Sequence, residues 1–351
     1  MAKNKPVAQF YDERLHEMLR YKRPHQSQTE AQWIERFLMP YEPTNFEDAA
    51  YVIVVQNHDG SDSRVMFSCH TDTVHRGPGM QRIRYDSTKQ CYFKDDKEPL
   101  GADDAAGAWV MLEMIDAGVP GTYMFHRGEE CGGLGSKHIA SKHTDFLDMH
   151  DYAIAFDRRG STSVITHQGY GRCCSDAFAQ ALADAINEDG VSMYAPDDTG
   201  VFTDTANYTE DIPECTNLAC GYANEHSGNE TLHLPTLFAL RDACLRIDWA
   251  SLPVARDPAV VERYDFNKLY GSYDYGSYDF SGYDYKTTGS GKGAAYKLLY
   301  TMSRSEMLDM AYVDPETFVA MVREELFDEV PRSKQDIGGY YADDDYSFNR
   351  S

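Results

Sequence analysis

The chain lacks any long hydrophobic run, and no stretch approaches the roughly 18 apolar residues of a membrane-spanning helix. Its eight cysteines include no Cys-x-x-Cys pair, so neither a zinc ribbon nor a disulfide framework is expected. The opening Met-Ala-Lys-Asn-Lys-Pro is followed within a few residues by Gln, Tyr, Asp and Glu, not by an apolar signal-peptide core. We therefore expect a reduced, cytoplasmic protein with no membrane contact.

Basic residues are also scarce. The chain has 33 Lys and Arg against 57 Asp and Glu, which gives a net charge of -24 and a pI near 4.8. This balance argues against binding to nucleic acid or to an anionic membrane surface. It fits a solvated acidic surface, and it also fits a site that concentrates cations or basic ligands.

Three catalytic motifs are missing. The sequence has no His-Glu-x-x-His, no Gly-x-Ser-x-Gly and no Gly-x-x-x-x-Gly-Lys-[Ser/Thr], which argues against a zincin helix, a nucleophile elbow and a phosphate loop. Cys69 stands beside His70, but the end of a buried strand is a poor setting for a thiolate. A thiol nucleophile is therefore disfavoured.

The 351 residues do contain enough apolar side chains, 42%, for a sizeable core. Strands alternate with helices from residue 100, a pattern typical of a mainly parallel sheet with helices on both faces. We therefore predict an α/β three-layer sandwich with a mixed, mainly parallel central sheet. The predicted strands are 51–55, 65–69, 122–126, 152–156 and 216–219, and the predicted helices are 104–117, 136–143, 175–187 and 235–249. Hairpins are expected at 58–60 and across 82–93, and a loop is expected from 188 to 200.

The composition changes after Pro253. The tripeptide Tyr-Asp-aromatic occurs four times between residues 264 and 285, among Gly and Ser residues. A linker is the favoured interpretation, and an aromatic interaction segment is the alternative. The predicted organisation is a catalytic domain over 1–253, a linker over 254–292 and a short tail over 293–351, with helices at 303–311 and 315–330 before an acidic terminus.

Five polar sites, called marks below, fall at or just after the predicted strand ends. His70-Thr71-Asp72 follows the strand 65–69, and an Asp two residues after a His can orient its imidazole on a metal. Asp103, in the stretch Leu100–Gly107, has two oxygens that could bridge two ions. Each mark also has an ordinary interpretation, as a loop histidine beside a turn aspartate or as a helix N-cap.

The other three marks lie further along the chain. Glu129 and Glu130 are adjacent in the glycine-rich stretch Gly128–Ser136, so one can bind a metal while the other accepts a proton from water. Asp157 ends the strand 152–156, and His226 stands in Glu225–Glu230. Because functional groups gather at the carboxyl ends of parallel strands, the five marks are expected to converge.

Two histidines and three carboxylates form a nitrogen and oxygen ligand set. Such a set suits paired divalent ions, with two Zn²⁺ preferred and Co²⁺ or Mn²⁺ as alternatives. Two ions roughly 3.5–4 Å apart activate a water and polarise a carbonyl oxygen, as amide hydrolysis requires. The remaining histidines His75, His126, His138 and His143 are interpreted as surface or packing residues.

With these marks in this order, the chain resembles the co-catalytic di-zinc exopeptidase clan. This clan includes the peptidase T and leucyl-aminopeptidase types and related carboxypeptidases and deacylases. The motif sequences are most similar to those of peptidase T. The resemblance covers about residues 10–248. Its segments are His70-Thr71-Asp72, Leu100–Gly107, Glu129-Glu130 with Gly132–Ser136, Asp157, and a late stretch with Thr203-Asp204, Ile212-Pro213, Cys215–Leu218, Gly221-Tyr222, His226 and Glu230.

The resemblance implies a role for each site residue. His70 and Asp157 would hold one zinc, Glu130 and His226 the other, and Asp103 would bridge them. Asp72 would orient His70, and Glu129 would be the general base that passes a proton to the leaving amine. The resemblance also implies a cis peptide between Asp103 and Asp104.

One departure from the resemblance concerns the lid domain that many relatives insert before the last histidine. Asp157 and His226 are 69 positions apart (226 minus 157), and sheet and helix fill that interval. A compact form without a lid is expected. Residues that a lid would supply for substrate binding are missing, so peptide length preference does not carry over.

The function expected from the sequence is removal of an N-terminal residue from a short peptide. A deacylase or amidohydrolase acting on an acylated amino acid, and a carboxypeptidase, are the alternatives within the same clan. In a different class, the chain would be an inactive relative that binds a partner through its tail. The complete ligand set argues against this last alternative, and homo-oligomer formation is left open.

Overall fold

The computed structural model describes residues 11–168 and 171–260. Within these ranges the α-helices are α1 (Glu13–Met18), α2 (Gln28–Phe37), α3 (Ala102–Asp116), α4 (Leu134–Lys142), α5 (Thr144–Leu147), α6 (Asp176–Ile186) and α7 (Leu234–Arg246). Short 3₁₀ helices span Met39–Tyr41, Asn187–Asp189, Asp204–Tyr208 and Trp249–Ser251. None of the helices in the described ranges has both the length and the apolar character needed to cross a bilayer.

The strands of the same ranges are mostly short. They are β1 (Tyr21–Lys22), β2 (Thr44–Phe46), β3 (Ala50–Val55), β4 (Val65–His70), β5 (Gly79–Met80), β6 (Arg84–Asp86), β7 (Cys91–Phe93), β8 (Gly121–His126), β9 (Tyr152–Arg158), β10 (Ser163–Ile165), β11 (His167–Gln168), β12 (Gly171–Arg172), β13 (Ala195–Asp197), β14 (Glu214–Ala219), β15 (Tyr222–Ala223) and β16 (Thr231–His233).

Eight of these strands form the central sheet, in the order β13-β10-β14-β9-β4-β8-β3-β2. The four middle strands β14, β9, β4 and β8 are parallel to their neighbours within this group. Antiparallel pairs join β10 to β14, β3 to β8 and β2 to β3. The predicted mixed, mainly parallel sheet is confirmed, and the carboxyl ends of its middle strands lie at one edge.

Both faces of the sheet are covered, because successive strand residues point to opposite sides. One hydrophobic cluster contains Phe67 and Tyr123 of the sheet with residues of α1, α2, α3, α6 and α7. The neighbouring residues Met66 and Met124 belong to a second cluster, with residues of α4, α5 and the 3₁₀ helix Asp204–Tyr208. The expected three-layer α/β sandwich is thereby confirmed.

The hairpin predicted at 58–60 is wrong, because the two strands on either side of this turn do not pair with each other. A turn does form there, with the Gly60 amide donating to the Asn57 carbonyl, but β3 and β4 are not neighbours. β8 lies between them, antiparallel to β3 and parallel to β4. All six residues of β8 are buried, so this strand needs a partner on each side, whereas β3 tolerates an exposed Val54 nearer the sheet edge.

The remaining element predictions differ from the structure mainly at their ends. The hairpin across 82–93 forms as β6 and β7, and the segment expected as a loop up to residue 200 contains the edge strand β13. The described part of the linker, residues 254–260, has neither helix nor strand. The repeated Tyr-Asp-aromatic tripeptides, the predicted tail helices and the acidic terminus lie outside the described residues, so the predicted domain division stays a prediction.

Candidate metal centre

Asp103 lies at the centre of the polar cluster, between two imidazoles. His70, the last residue of β4, has its Nε2 2.9 Å from one carboxylate oxygen of Asp103. His226 lies in the turn between β15 and β16, with its Nε2 3.1 Å from the other oxygen. The two oxygens of one carboxylate therefore face two different histidines.

Each histidine also contacts a second carboxylate. Oδ1 of Asp157 is 3.5 Å from Nε2 of His70, and Oε2 of Glu130 is 3.2 Å from Nε2 of His226. Asp157 is the penultimate residue of β9, and Glu130 follows β8, so both come from the carboxyl edge of the parallel strands. The structure thus brings five predicted ligands together as two overlapping groups that share Asp103.

The loop that carries Asp103 is held by a buried carboxylate from far along the chain. Glu230 accepts hydrogen bonds from the backbone amides of Gly101, Ala102 and Asp103, at 3.0, 2.8 and 3.1 Å. The peptide bond between Asp103 and Asp104 is cis. Glu230 and the start of α3 together fix the backbone on which the shared carboxylate stands.

Close packing of α3 against the sheet also fixes this loop. A Cβ on Gly107 would lie 2.2 Å from the carbonyl oxygen of Phe156 in β9, so only glycine permits the approach. The Asp104 carboxylate accepts from the Gly107 amide at 2.8 Å and from the His70 amide at 3.3 Å. Asp104 therefore braces the turn while Asp103 faces the cluster.

Asp157 is clamped through both its backbone and its side chain. The side chain of Asn217, in β14, accepts from the Asp157 amide at 2.8 Å and donates to the Asp157 carbonyl at 2.7 Å. The Tyr222 hydroxyl donates to Oδ1 of Asp157 at 3.0 Å. These contacts leave the carboxylate a single orientation toward His70.

Asp72 connects the first histidine to the loop after β8. Its backbone carbonyl is 3.1 Å from Nδ1 of His70, and its Oδ1 is 3.7 Å from the same nitrogen. The carboxylate also accepts from the amides of Gly128, Glu129 and Glu130, at 2.9, 3.2 and 3.3 Å. Asp72 therefore holds the backbone of the two glutamates as well as contacting the imidazole.

Burial and mutual repulsion shift the pKa values of the clustered carboxyl groups. Burial raises the pKa of Glu130 to about 7, although His226 donates to it. Burial and the charge of Asp103 raise the pKa of Asp157. For Asp103 itself, the hydrogen bonds from His226 and His70 outweigh burial and hold the pKa below its usual range.

The pKa values of the two histidines are raised by their acidic neighbours. Hydrogen bonds to Asp103 and Glu130 raise the pKa of His226 to about 11. Burial disfavours the charged form of His70, but the charge of Asp157 and the contact with Asp103 raise its pKa well above the ordinary value. A buried centre that stabilises positive charge so strongly is a favourable environment for cations.

The donor set fits divalent metal ions. Zn²⁺ accepts both imidazole nitrogens and carboxylate oxygens as ligands. The two imidazoles and three carboxylates of this cluster form two groups, one for each of two ions. His70 can donate from Nδ1 to the Asp72 carbonyl, which leaves the lone pair of Nε2 toward Asp103 and Asp157. Oε1 of Glu130 is buried with no hydrogen-bond partner among the described residues, as expected for an oxygen that binds an ion.

Glu129 lies beside this set without joining either group of ligands. Burial raises the pKa of Glu129 well above its usual value, and the charges of Asp157, Asp204 and Glu130 add to the increase. A carboxyl group with a raised pKa, fixed at its backbone by Asp72, is suited to accept and return a proton. This is the role that the sequence predicted for Glu129.

Asp72 was expected to orient His70, but the other residues that orient the ligands had no role predicted from the sequence. Glu230 and Tyr222 stood in the segments that matched the resemblance, but nothing in their spacing pointed to Asp103 or Asp157. Asn217 stood in the matching segment Cys215–Leu218 as well. Because β14 also contains the polar residues Glu214 and Thr216, a polar side chain within this strand did not point to Asp157.

Comparison with known proteins adds a family. A model of peptidase family M28 matches residues 51–233, just over half of the chain. No curated protein matches the chain. The matched range contains every predicted ligand from His70 to His226.

Several solved structures share the fold. A tripeptidase from Staphylococcus aureus is 14% identical with a TM-score of 0.53, and aminopeptidase PepT from Bacillus cereus is 14% identical with a TM-score of 0.51. Each alignment covers 66% of this chain and 95% of the other. A TET aminopeptidase from a marine-sediment thaumarchaeote is 11% identical with a TM-score of 0.51, over 68% of this chain and 96% of the other.

Proposed function

The chain belongs to peptidase family M28, and from this membership and the geometry of the cluster we propose that it is an aminopeptidase that releases N-terminal residues from short peptides. The observation that carries the proposal is the position of Asp103, whose two oxygens lie 2.9 and 3.1 Å from the imidazoles of His70 and His226. Such an arrangement is what a shared ligand of two ions requires.

We assign the ligands accordingly. His70 and Asp157 would hold one Zn²⁺, Glu130 and His226 the other, and Asp103 would contact both. Paired ions supply a nucleophilic water at neutral pH and polarise the carbonyl oxygen of the peptide. Co²⁺ or Mn²⁺ would fit the same nitrogen and oxygen donors.

The chain's own residues then move the proton and hold the geometry. Glu129 takes a proton from the attacking water and delivers it to the nitrogen of the leaving amine as the amide bond breaks. Asp72 keeps Glu129 and Glu130 in register through three backbone hydrogen bonds. Asn217 and Tyr222 keep Asp157 directed at His70.

The charge of the site favours the amino end of a substrate over the carboxyl end. Five carboxyl groups, on Asp103, Asp104, Glu129, Glu130 and Asp157, lie in or beside the cluster. They outnumber the four positive charges of two Zn²⁺, so the remaining negative charge favours an N-terminal ammonium over a carboxylate. Of the two guanidinium groups that follow Asp157, Arg159 pairs with Glu225 at 3.0 Å, and Arg158 donates to Thr199 through one nitrogen. A carboxypeptidase would need a free cation for the substrate carboxylate.

Digestion of a peptide library by the zinc-loaded full chain tests the proposal. We expect successive loss of residues from the amino end, together with hydrolysis of aminoacyl-nitroanilides. N-acetylated copies of the same peptides, the matched control, should resist. Trimming from the carboxyl end would overturn the aminopeptidase assignment. Hydrolysis confined to N-acyl amino acids would favour the deacylase alternative.

A further inference from the structure

A second group of histidine and carboxylate side chains lies outside the cluster described above. Glu47, in the turn between β2 and β3, has its Oε2 2.7 Å from Nε2 of His138 and 3.3 Å from Nε2 of His143. His138 lies in α4, and His143 lies at its C-terminal end. Two chain segments about ninety positions apart therefore direct three donor atoms at one point.

Neighbouring contacts hold these donors in place. The ring of His143 packs against Phe46, with ring centroids 4.5 Å apart, and its buried Nε2 makes no hydrogen bond of good geometry to any described residue, although Oε2 of Glu47 lies 3.3 Å away. The turn that carries Glu47 is closed by Asn45, whose side chain exchanges two hydrogen bonds of 2.9 Å with Asp48. The donor atoms therefore converge without needing a large rearrangement.

We propose that Glu47, His138 and His143 bind a divalent transition-metal ion, with Zn²⁺ preferred, at a site separate from the catalytic centre. Two imidazole nitrogens and one carboxylate oxygen suit Zn²⁺ better than Mg²⁺ or Ca²⁺, which take oxygen ligands. Water completes the coordination, since the site is open to solvent. The net charge of -24 adds a general attraction for cations.

An ion at this site would link the turn between β2 and β3 to the segment between β8 and α4, which carries Glu129 and Glu130. The carbonyl of Ala49, two residues after Glu47, accepts from the amide of Arg127 at 2.9 Å. A Cβ on Gly135 would lie 2.1 Å from that same oxygen, so α4 begins in direct contact with the turn. An ion on Glu47, His138 and His143 therefore ties this turn to the helix that follows Glu129 and Glu130.

Counting bound zinc tests the proposal directly. The full chain is stripped with a chelator and dialysed at pH 7.5 against buffered Zn²⁺ of increasing free concentration, and zinc per chain is measured by mass spectrometry. The variants are the double substitution His138→Ala with His143→Ala, and the single substitution Glu47→Gln. His58→Ala, which changes an exposed histidine in the turn after β3, is the matched control.

We expect the unchanged chain and His58→Ala to bind one zinc more per chain than the double variant. Glu47→Gln should lower the zinc affinity of that additional site by about 100-fold. Loss of a residue that only orients a ligand costs up to about this much, and Glu47 is proposed as a ligand itself. Equal zinc uptake by the unchanged chain and Glu47→Gln over the whole range would overturn the proposal and leave only an ion pair between Glu47 and the histidines. Because Gln matches Glu in size, this arm stays decisive if the double variant does not fold.

The catalytic ligands are the same in every variant, so their zinc cancels in the comparison. The result is therefore independent of whether the chain proves to be an aminopeptidase.

Discussion

The two histidine and carboxylate clusters of this molecule use the same residue types in different surroundings. In the proposed catalytic cluster, the side chains of His70, Asp103 and Glu130 are at most 10% exposed, and only His226, at 53%, reaches the surface. In the cluster at the sheet edge, His143, His138 and Glu47 are 24%, 40% and 57% exposed. Burial removes competing water and strengthens every charge interaction, so equal ligands need not give equal sites.

The clusters also differ in what lies behind the ligands. Glu230, Asn217, Tyr222 and Asp72 each make hydrogen bonds that fix a catalytic ligand or its backbone. At the sheet edge, the described support consists of ring packing by Phe46 and a turn closed by Asn45. We therefore expect the ligand-orienting residues, more than the ligands themselves, to distinguish the proposed catalytic centre from the proposed surface site.

The largest effect that separates the two clusters should come from Glu129→Gln. The amide retains the shape of the side chain but cannot accept the proton, so kcat should fall by about 100- to 10,000-fold. Kinetics on an aminoacyl-nitroanilide measure the loss, and metal analysis of the same sample should give unchanged zinc. Glu210→Gln, at an exposed position, should retain full activity. A variant that loses zinc along with activity would make Glu129 a ligand.

The next effect should come from Glu230→Gln, which removes support without removing a ligand. A neutral amide accepts the three backbone hydrogen bonds less strongly than a carboxylate, so the loop that carries Asp103 loosens. Zinc affinity of the catalytic centre should fall by about 100-fold, while zinc at the sheet edge should be unchanged. Competition with a chromogenic chelator measures both. Equal weakening of the two sites would show a general loss of structure.

A smaller effect is expected for Tyr222→Phe. This substitution deletes only the hydroxyl that donates to Asp157, and the ring remains buried. Affinity for zinc should fall by about tenfold, with the number of sites unchanged. Tyr123→Phe is the matched control, because it also deletes the hydroxyl of a buried tyrosine, which donates to the Val119 carbonyl just before the start of β8, at the opposite end of the strand from the ligands. Similar zinc affinities in the two variants would remove Tyr222 from the orienting set.

The smallest effect is expected for the pH dependence of stability and comes from His75. This buried histidine has no carboxylate partner, whereas His226 contacts two. Burial, with the charges of Arg23 and Lys94, lowers the pKa of His75 to about 4. Between pH 6.5 and 4 the unfolded chain therefore binds a proton here that the folded chain does not, so stability falls as the pH falls.

From pH 8 to pH 5.5 the contribution of His75 should decrease by about 1.4 kcal/mol. Denaturant unfolding of the chelator-treated chain and of His75→Gln measures it, and the variant should show a shallower decrease. His58→Gln, in an exposed turn, should follow the unchanged chain. Identical pH slopes for His75→Gln and the unchanged chain would show that this histidine titrates equally in both states.

Much of the fold was predictable because it depends on local patterns. The buried runs at 51–55, 65–69, 122–126 and 152–156 became β3, β4, β8 and β9, with ends shifted by at most two residues. The order in which strands pair was not predictable in the same way. The hairpin expected between β3 and β4 is replaced by β8, which comes from residues more than fifty positions later.

The sequence by itself determined the alternation of strands and helices and the residue types that stand at the strand ends, since hydrophobic periodicity and turn residues act over short distances. Only the tertiary structure decided that Glu230 holds the loop of Asp103, that Tyr222 and Asn217 orient Asp157, and that Glu47 meets His138 and His143. These contacts join segments from 60 to 129 positions apart, and no local spacing encodes them. The packing of the central sheet, the four-stranded sheet β15-β16-β7-β6 and the helices brings them together.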